Sequence, residues 1–160
     1  MTDDPLALAL RFLSRRERTV TEMRRHLLQK GVEPNAVDEV IEELIDQGYL
    51  DDVRYARVFV QDKRELEQWG SERIRRTLLE RGIDHDLVDE TLAPHEDEAE
   101  NGDGGGELAR ALALLRERFP GPPRDHRERE RALGVLLRKG YDPELALDAL
   151  SGYSRRYQWP

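Results

Sequence analysis

Residues 27–33 read Leu-Leu-Gln-Lys-Gly-Val-Glu, residues 78–84 read Leu-Leu-Glu-Arg-Gly-Ile-Asp, and residues 136–142 read Leu-Leu-Arg-Lys-Gly-Tyr-Asp. All three stretches follow one pattern, which we call the glycine cassette: two leucines, a polar residue, a cation, glycine, a bulky apolar residue and an acid. The glycines are 51 and 58 residues apart. Self-similarity at a spacing of this length is typical of tandem helical arrays. The chain is therefore predicted to contain three helical repeats.

The glycine cassette is suited to ending one helix and starting the next. Glycine readily adopts the left-handed conformation that closes a helix, and the cation before it lies at the negative end of the helix dipole. The acid after it is expected to cap the following helix, and Pro34 and Pro143 suit a first helical position. Lys30, Arg81 and Lys139 therefore have a structural explanation that requires no partner.

Apolar residues recur with helical periodicity around each cassette. The i, i+3, i+4, i+7, i+8 spacing of an amphipathic helix is followed by Val37, Val40, Ile41, Leu44 and Ile45. Thr19 and Glu22 have the spacing of a capping box for the helix before Gly31. No stretch alternates like a β-strand, so the predicted fold class is all-α.

We predict three helices in each repeat. They lie near 5–16, 20–30 and 34–47, then near 52–67, 71–81 and 85–92, and finally near 107–118, 125–139 and 143–150. The predicted domains are helical repeat one at 1–50, helical repeat two at 51–93, an acidic glycine-rich linker at 94–106, and helical repeat three with a C-terminal tail at 107–160.

The charge of the chain is unevenly distributed. Charged residues make up 38% of the sequence, and the formal net charge is −8. Much of this excess comes from six acids, Glu96, Asp97, Glu98, Glu100, Asp103 and Glu107. The remainder is nearly neutral, so local charged patches matter more than the total. This balance argues against a generic nucleic-acid coat.

The chain contains no cysteine, which excludes disulfides and thiolate metal sites. Together with the absence of a signal-peptide pattern, this predicts a cytoplasmic location. The four histidines, His26, His85, His95 and His126, lie in no metal-ligand spacing such as H-E-x-x-H. The serines lack a nucleophile-elbow context. We therefore expect no catalytic, cofactor or metal site, and an enzyme is the least favoured class.

Arginines crowd the first two predicted helices and the middle helix of repeat two. Arg24 and Arg75 lie seven residues before their cassette glycine, and Arg25 and Arg76 lie six before it. Arginine binds carboxylates and phosphates in a bidentate manner, which suits an anionic partner surface. The alternative is a solvated face that pairs with neighbouring acids, since exposed ion pairs contribute little. The predicted partner-binding residues are Arg15, Arg16, Arg24, Arg25, Arg73, Arg75 and Arg76.

Several stretches, taken in order, resemble the RecX family of regulators of the RecA recombinase. Residues 48–56, Gly-Tyr-Leu-Asp-Asp-Val-Arg-Tyr-Ala, look like the family signature. Similarity to the three family repeats lies in Leu13-Ser14-Arg15-Arg16 with Lys30-Gly31, in Trp69–Leu78 with Arg81-Gly82-Ile83, and in Phe119-Pro120 with Arg138–Tyr141. The resemblance covers nearly the whole chain except the termini and the linker, which departs from the compact family pattern.

The resemblance implies an elongated, curved array of three-helix units that binds RecA–single-stranded DNA filaments. It implies that the chain modulates recombinase and ATPase activity, with inhibition the expected direction, in DNA repair and recombination during the SOS response. Weak contact with single-stranded or duplex DNA is expected, as is a monomer that does not bind membranes.

Two other functions stay open from the residues alone. One is a DNA-binding regulator of helix-turn-helix type, in which a basic helix enters the major groove. The acidic total charge and the lack of a helix that mixes Arg with Asn or Gln argue against it. The other is a helical scaffold for an unrelated partner.

Overall fold

The computed structural model describes residues 4–93 and 106–157, with side chains through residue 154. Within these ranges the chain forms nine helices and no strand, which confirms the predicted all-α class. The helices are α1 (Pro5–Arg15), α2 (Val20–Gln29), α3 (Pro34–Asp46), α4 (Asp52–Glu65), α5 (Ser71–Glu80), α6 (His85–Leu92), α7 (Glu107–Arg118), α8 (His126–Lys139) and α9 (Pro143–Tyr157).

The chain divides into two compact units. Among the described residues, unit one contains those up to Phe59 together with Thr77–Thr91, and unit two contains Val60–Arg76 together with those from Leu92 onward. The division passes through α4 and α5, so residues of the predicted second repeat belong to both units. The number of repeats and their arrangement stay predictions. The predicted linker lies outside the described residues, apart from Gly106 at the start of α7.

Unit one is built on the apolar faces of α1, α2 and α3. Its core contains Ala9, Met23, Leu27, Val37, Val40, Ile41, Leu44 and Leu50. These residues recur at helical spacing, so each helix removes one continuous apolar stripe from water. Ile45 shares the sequence pattern but is 46% exposed, which places it at the edge of that stripe.

Unit two has a separate core formed by α7, α8 and α9, which includes Leu114, Leu136, Leu150 and Tyr153. The prediction that the last helix ends near residue 150 is wrong, because α9 continues to Tyr157. Tyr153 is only 1% exposed, and its hydroxyl donates a 3.0 Å hydrogen bond to the Phe119 carbonyl. Burying this ring favours the helical conformation beyond Gly152, which by itself is a poor helix former.

Local signals set most helix ends as predicted. Gly31, Gly82 and Gly140 have φ angles of 85°, 85° and 96°, which are left-handed. The capping box at the start of α2 is confirmed: Glu22 N donates to Thr19 Oγ1 at 3.1 Å, and Thr19 N donates to Glu22 Oε1 at 3.0 Å. Two orphan donors of the helix are thereby satisfied.

The predicted caps after the cassettes form at two of three positions. Asp84 accepts a hydrogen bond from Asp86 N, and Asp142 accepts one from Glu144 N, both at 3.1 Å. Glu33 makes no side-chain cap, so that prediction is wrong. Glutamate carries one more methylene than the residues that cap well, and Pro34 starts α3 there instead.

Candidate functional site

The turn between α1 and α2 is anchored on both sides within unit one. Thr19 is fully buried, and its hydroxyl donates a 2.6 Å hydrogen bond to the Arg81 carbonyl while it caps α2. Val20 N donates to Asp52 Oδ1 at 3.0 Å. The start of α2 is therefore fixed by residues 32 and 62 positions away along the chain.

Asp51 and Asp52, the two aspartates of residues 48–56, accept hydrogen bonds from different helices. Asp51 Oδ1 accepts a 3.0 Å hydrogen bond from Arg54 N and caps α4. Asp52 reaches the first residue of α2 instead. Burial raises the pKa of Asp52, although the hydrogen bond from Val20 N opposes this shift. Neither aspartate needs a partner to explain its presence.

Three side chains form a layered contact beside this turn, which we call the basic stack: Phe12, Arg18 and His26. The Phe12 and His26 rings are parallel within 1°, with centroids 3.8 Å apart. The Arg18 guanidinium lies 3.8 Å from the Phe12 centroid, and its Nε donates to the Phe12 carbonyl at 3.3 Å. The Phe12 ring therefore lies in a cation–π contact with one residue and in a stack with the other.

Positive charge converges on the basic stack. Burial lowers the pKa of His26, and the positive charges of Lys30, Arg18 and Arg15 lower it further. Burial also lowers the pKa of Arg18, followed by the charge of Arg16. Like charges disfavour the protonated form of each neighbour. The neighbouring positive charges therefore disfavour the protonated forms of His26 and Arg18.

Arg16 is held in place by intramolecular contacts. Its Nη2 lies 2.6 Å from Glu22 Oε2, and its Nη1 donates to the Tyr55 hydroxyl at 3.3 Å and to the Glu17 carbonyl at 3.1 Å. Burial lowers the pKa of Arg16, but the hydrogen bond to Glu22 and its charge outweigh burial, so the net direction is upward.

The predicted arginine pair on α2 is split between two environments. Arg24 forms a 2.5 Å ion pair with Asp38 of α3, in which both side chains are exposed. Arg25 is exposed, and within residues 4–93 and 106–154 its side chain donates no hydrogen bond. Arg15, the last residue of α1, is also exposed, and its side chain donates no hydrogen bond within the same ranges. Arg15 and Arg25 thus keep their full hydrogen-bonding capacity for a partner.

The corresponding arginines of α5 lie in unit two. Arg73 lies over the Trp69 ring, 3.9 Å from its centroid, and its Nη1 donates to the Arg138 carbonyl at 3.2 Å. Arg75 is half-buried and Arg76 is exposed. Arg73 therefore serves the structure of unit two, and Arg76 is the more accessible member of the predicted pair.

The structure brings Arg15 and Arg16 together with residues that were not predicted to bind a partner. Phe12, His26 and Lys30 are 18 or fewer positions apart in the sequence, but nothing in their spacing indicates a stack. Arg18 is not one of the seven arginines that the sequence predicted to bind a partner. Only the packing of α1 against α2 reveals their common surface.

Neither a metal site nor a membrane span is found where the structure describes the chain. No group of three or more His, Asp or Glu side chains there is arranged to hold a metal ion. None of the helices described is both long and apolar enough to cross a membrane.

The chain matches two protein families described as the first and second three-helix domains of RecX, over residues 6–44 and 51–92. It is 38% identical over 134 residues to the regulatory protein RecX of Halorhodospira halophila, which covers 83% of this chain and 78% of that protein. The regulatory protein RecX of Trichlorobacter lovleyi is 34% identical over 140 residues, covering 86% and 87% of the two chains.

Solved structures share the fold. The crystal structure of RecX from Lactobacillus salivarius has a TM-score of 0.72 with this chain at 21% identity, covering 93% of this chain and 94% of that one. A second crystal structure, of a regulatory protein RecX, has a TM-score of 0.63 at 22% identity.

Proposed function

This chain belongs to the RecX family of regulatory proteins, and from this premise we propose that it binds RecA–single-stranded DNA filaments and lowers their recombinase and ATPase activity. The chain acts by binding rather than by catalysis, in the cytoplasm, during DNA repair and recombination.

The observation that carries this proposal is the convergence of cations on the basic stack. Arg15, Arg18 and Lys30 all act on His26, at the turn that Thr19 and Asp52 hold in place. An anionic surface docked there would favour the protonated forms of His26 and Arg18, since an opposite charge nearby favours the charged form of each. A filament of protein and DNA offers carboxylates and phosphates, both of which arginine binds in a bidentate manner.

Of the seven predicted arginines, we assign the first contacts to Arg15 and Arg25 of unit one and to Arg76 of unit two. These three are exposed, and none makes a hydrogen bond or ion pair through its side chain within the described residues. Arg16, Arg24 and Arg73 have intramolecular partners that a filament would have to displace. Arg75 is half-buried and is therefore less accessible than Arg76.

A titration of RecA ATPase on single-stranded DNA tests the function. We expect the wild-type chain to inhibit turnover at amounts below that of RecA, because one bound molecule affects a filament of many protomers. Binding to the DNA without RecA is measured in parallel. An unchanged ATPase rate at saturating chain would refute the proposed function.

Arg15→Glu tests the contact, and Arg57→Glu is its control. Arg57 lies on α4, is exposed and undergoes the same charge change outside the basic stack. We expect Arg15→Glu to weaken filament binding by roughly tenfold or more, because charge reversal places two like charges at the interface. Equal effects of the two variants would show that only the net charge matters and would remove Arg15 from the interface.

The parallel DNA measurement separates this function from that of a helix-turn-helix regulator. Such a regulator would bind duplex DNA tightly, with a steep salt dependence and a sequence preference. We expect weak binding to bare DNA. Tight duplex binding beside an unchanged RecA rate would replace the filament function with the DNA-binding one.

A further inference from the structure

The second glycine turn, at Gly82, contacts the start of another helix, α2, within unit one. Thr19, directly before α2, donates its hydroxyl to the Arg81 carbonyl at 2.6 Å. Thr21, the second residue of α2, donates to the Gly82 carbonyl at 3.1 Å. A Cβ on Gly82 would overlap the Thr21 side chain. The Gly82 turn is thus a receptor that is occupied by the start of α2.

The third glycine turn receives a helix start in the same register, within unit two. Gly70 N, directly before α5, donates to the Lys139 carbonyl at 2.7 Å, and Glu72 N, of the second residue of α5, donates to the Gly140 carbonyl at 3.0 Å. A Cβ on Gly140 would overlap the Arg73 side chain. In both units, the residue before the helix bonds to the carbonyl of the cassette cation, and the second helical residue bonds to the carbonyl of the glycine.

The first glycine turn has the same backbone but no occupant in the described chain. Gly31 is exposed and has a φ of 85°, equal to that of Gly82. No donor among the described residues reaches the carbonyl of Lys30 or of Gly31. No atom described lies within 4 Å of the position that a Cβ on Gly31 would occupy. The receptor of unit one is formed and open.

The start of α8 is a helix start that contacts no glycine turn among the described residues. The helix α8 precedes the third cassette as α2 and α5 precede the first two, and residues 143–160 contain no further cassette. Residues 124–131 are all exposed. The backbone N–H groups of Asp125 and Arg127, the residue before α8 and its second residue, meet no acceptor among the described residues. They are the same two positions that Gly70 and Glu72 occupy at α5.

We propose that the Gly31 turn binds the start of α8 of a second copy of this chain. Asp125 N–H donates to the Lys30 carbonyl, and Arg127 N–H donates to the Gly31 carbonyl, in the register that both internal pairs use. The open turn and the open helix start lie on different parts of one chain, so the contact is head-to-tail and each added copy exposes a new pair. The sequence predicts a monomer; with this contact the monomer is limited to dilute solution, and the chain associates as its concentration rises.

Gly31→Asn closes the receptor with little change to the fold. Asparagine tolerates the left-handed conformation better than other residues with a side chain, and its side chain would occupy the space above the turn. Gly48→Asn is the matched control, because Gly48 has a φ of 80° and is also exposed with no atom within 4 Å of its Cβ position.

Arg127→Glu closes the other end. A carboxylate in the first turn of α8 favours the helix but faces the two carbonyl oxygens of the receptor. Arg129→Glu, the same charge change at another exposed position two residues later, is the control.

Sedimentation velocity over a range of concentrations measures the association. We expect the average mass of the wild-type chain and of both control variants to rise with concentration, past that of a dimer. Gly31→Asn and Arg127→Glu alone should stay near the monomer mass, since losing two hydrogen bonds raises the dissociation constant roughly 30-fold. An equimolar mixture of these two variants should form a dimer and stop there, because it retains one intact receptor and one intact helix start.

A wild-type chain that stays monomeric at every concentration would overturn the proposal. So would association that Gly31→Asn leaves intact, or a mixture that behaves like its separate components. If Gly31→Asn weakened filament binding while the wild-type chain stayed monomeric, the receptor would belong to a helix start of RecA, and the second copy would be the wrong occupant.

Discussion

Replacing Thr19 with valine tests the main anchor of unit one. Thr19 is fully buried and makes two hydrogen bonds through one hydroxyl, accepting from Glu22 N at 3.1 Å and donating to the Arg81 carbonyl at 2.6 Å. Valine keeps the branched shape and removes both. The substitution therefore isolates the polar contribution of the anchor from its packing.

The expected cost follows from those two bonds. Loss of an N-cap side chain typically costs about 1 kcal/mol. Leaving the partly buried Arg81 carbonyl without its donor adds about 1 kcal/mol, the low end for an unsatisfied polar group. We expect Thr19→Val to lower the free energy of unfolding by about 2 kcal/mol. Thr19→Ser keeps the hydroxyl and loses one methyl, so it should cost under about 1 kcal/mol.

Thr91→Val is the matched control. Thr91 also lies in unit one, and its hydroxyl donates to the Leu87 carbonyl at 2.7 Å, one turn back in the same helix. That bond adds little to a carbonyl within a helix, so the change should stay within about 0.5 kcal/mol. Urea unfolding followed by circular dichroism at the helical band measures all three variants. If Thr19→Val cost no more than Thr91→Val, the anchor would not stabilise the fold, and the reasoning would be wrong.

Three further results are expected. Gly82→Ala should lower the free energy of unfolding, measured in urea, by about 1–2 kcal/mol more than Gly31→Ala does. Both substitutions strain a left-handed backbone, but only a Cβ at position 82 overlaps the Thr21 side chain. Asp52→Asn should stabilise the chain at neutral pH, because burial raises the folded-state pKa of Asp52 and ionising this carboxyl therefore costs stability. The gain in the free energy of unfolding should vanish as the pH falls below the ordinary aspartate pKa of about 3.9, where the carboxyl is protonated in both states. A gain that persists at low pH would contradict this cause. Tyr153→Phe should lower the free energy of unfolding by about 1 kcal/mol by removing the hydrogen bond to a backbone carbonyl; an unchanged midpoint would show that the ring alone holds the end of α9.

The sequence showed that the candidate site is rich in arginine but not how its side chains are arranged. The arginines around α1 and α2 indicated an anionic partner, and Arg15 and Arg25 are exposed as that interpretation requires. Nothing in the residue pattern separates them from Arg16 and Arg24, whose acidic partners lie 6 and 14 residues away. Several acids were equally near in sequence, and only the packed helices decide which of them is within reach.

The sequence by itself determined the features that depend on neighbours within one helical turn. The capping box of Thr19 and Glu22, the left-handed glycines and nearly all helix ends follow from backbone sterics and hydrogen bonds between residues a few positions apart. Those energies hold wherever the helix is placed, so a pattern of residues is enough to predict them.

Only the tertiary structure decided which surfaces meet. Burial of Tyr153 extends α9 past the predicted end, and the start of α2 occupies the Gly82 turn while the Gly31 turn stays open within the described chain. Three nearly identical cassettes have the same local energies, so no property of the seven residues distinguishes an occupied turn from an open one. That difference comes from contacts between residues about 60 positions apart, which form only when the helices pack. The hydrophobic effect that drives packing has no direction, so shape and hydrogen bonding decide which surfaces meet.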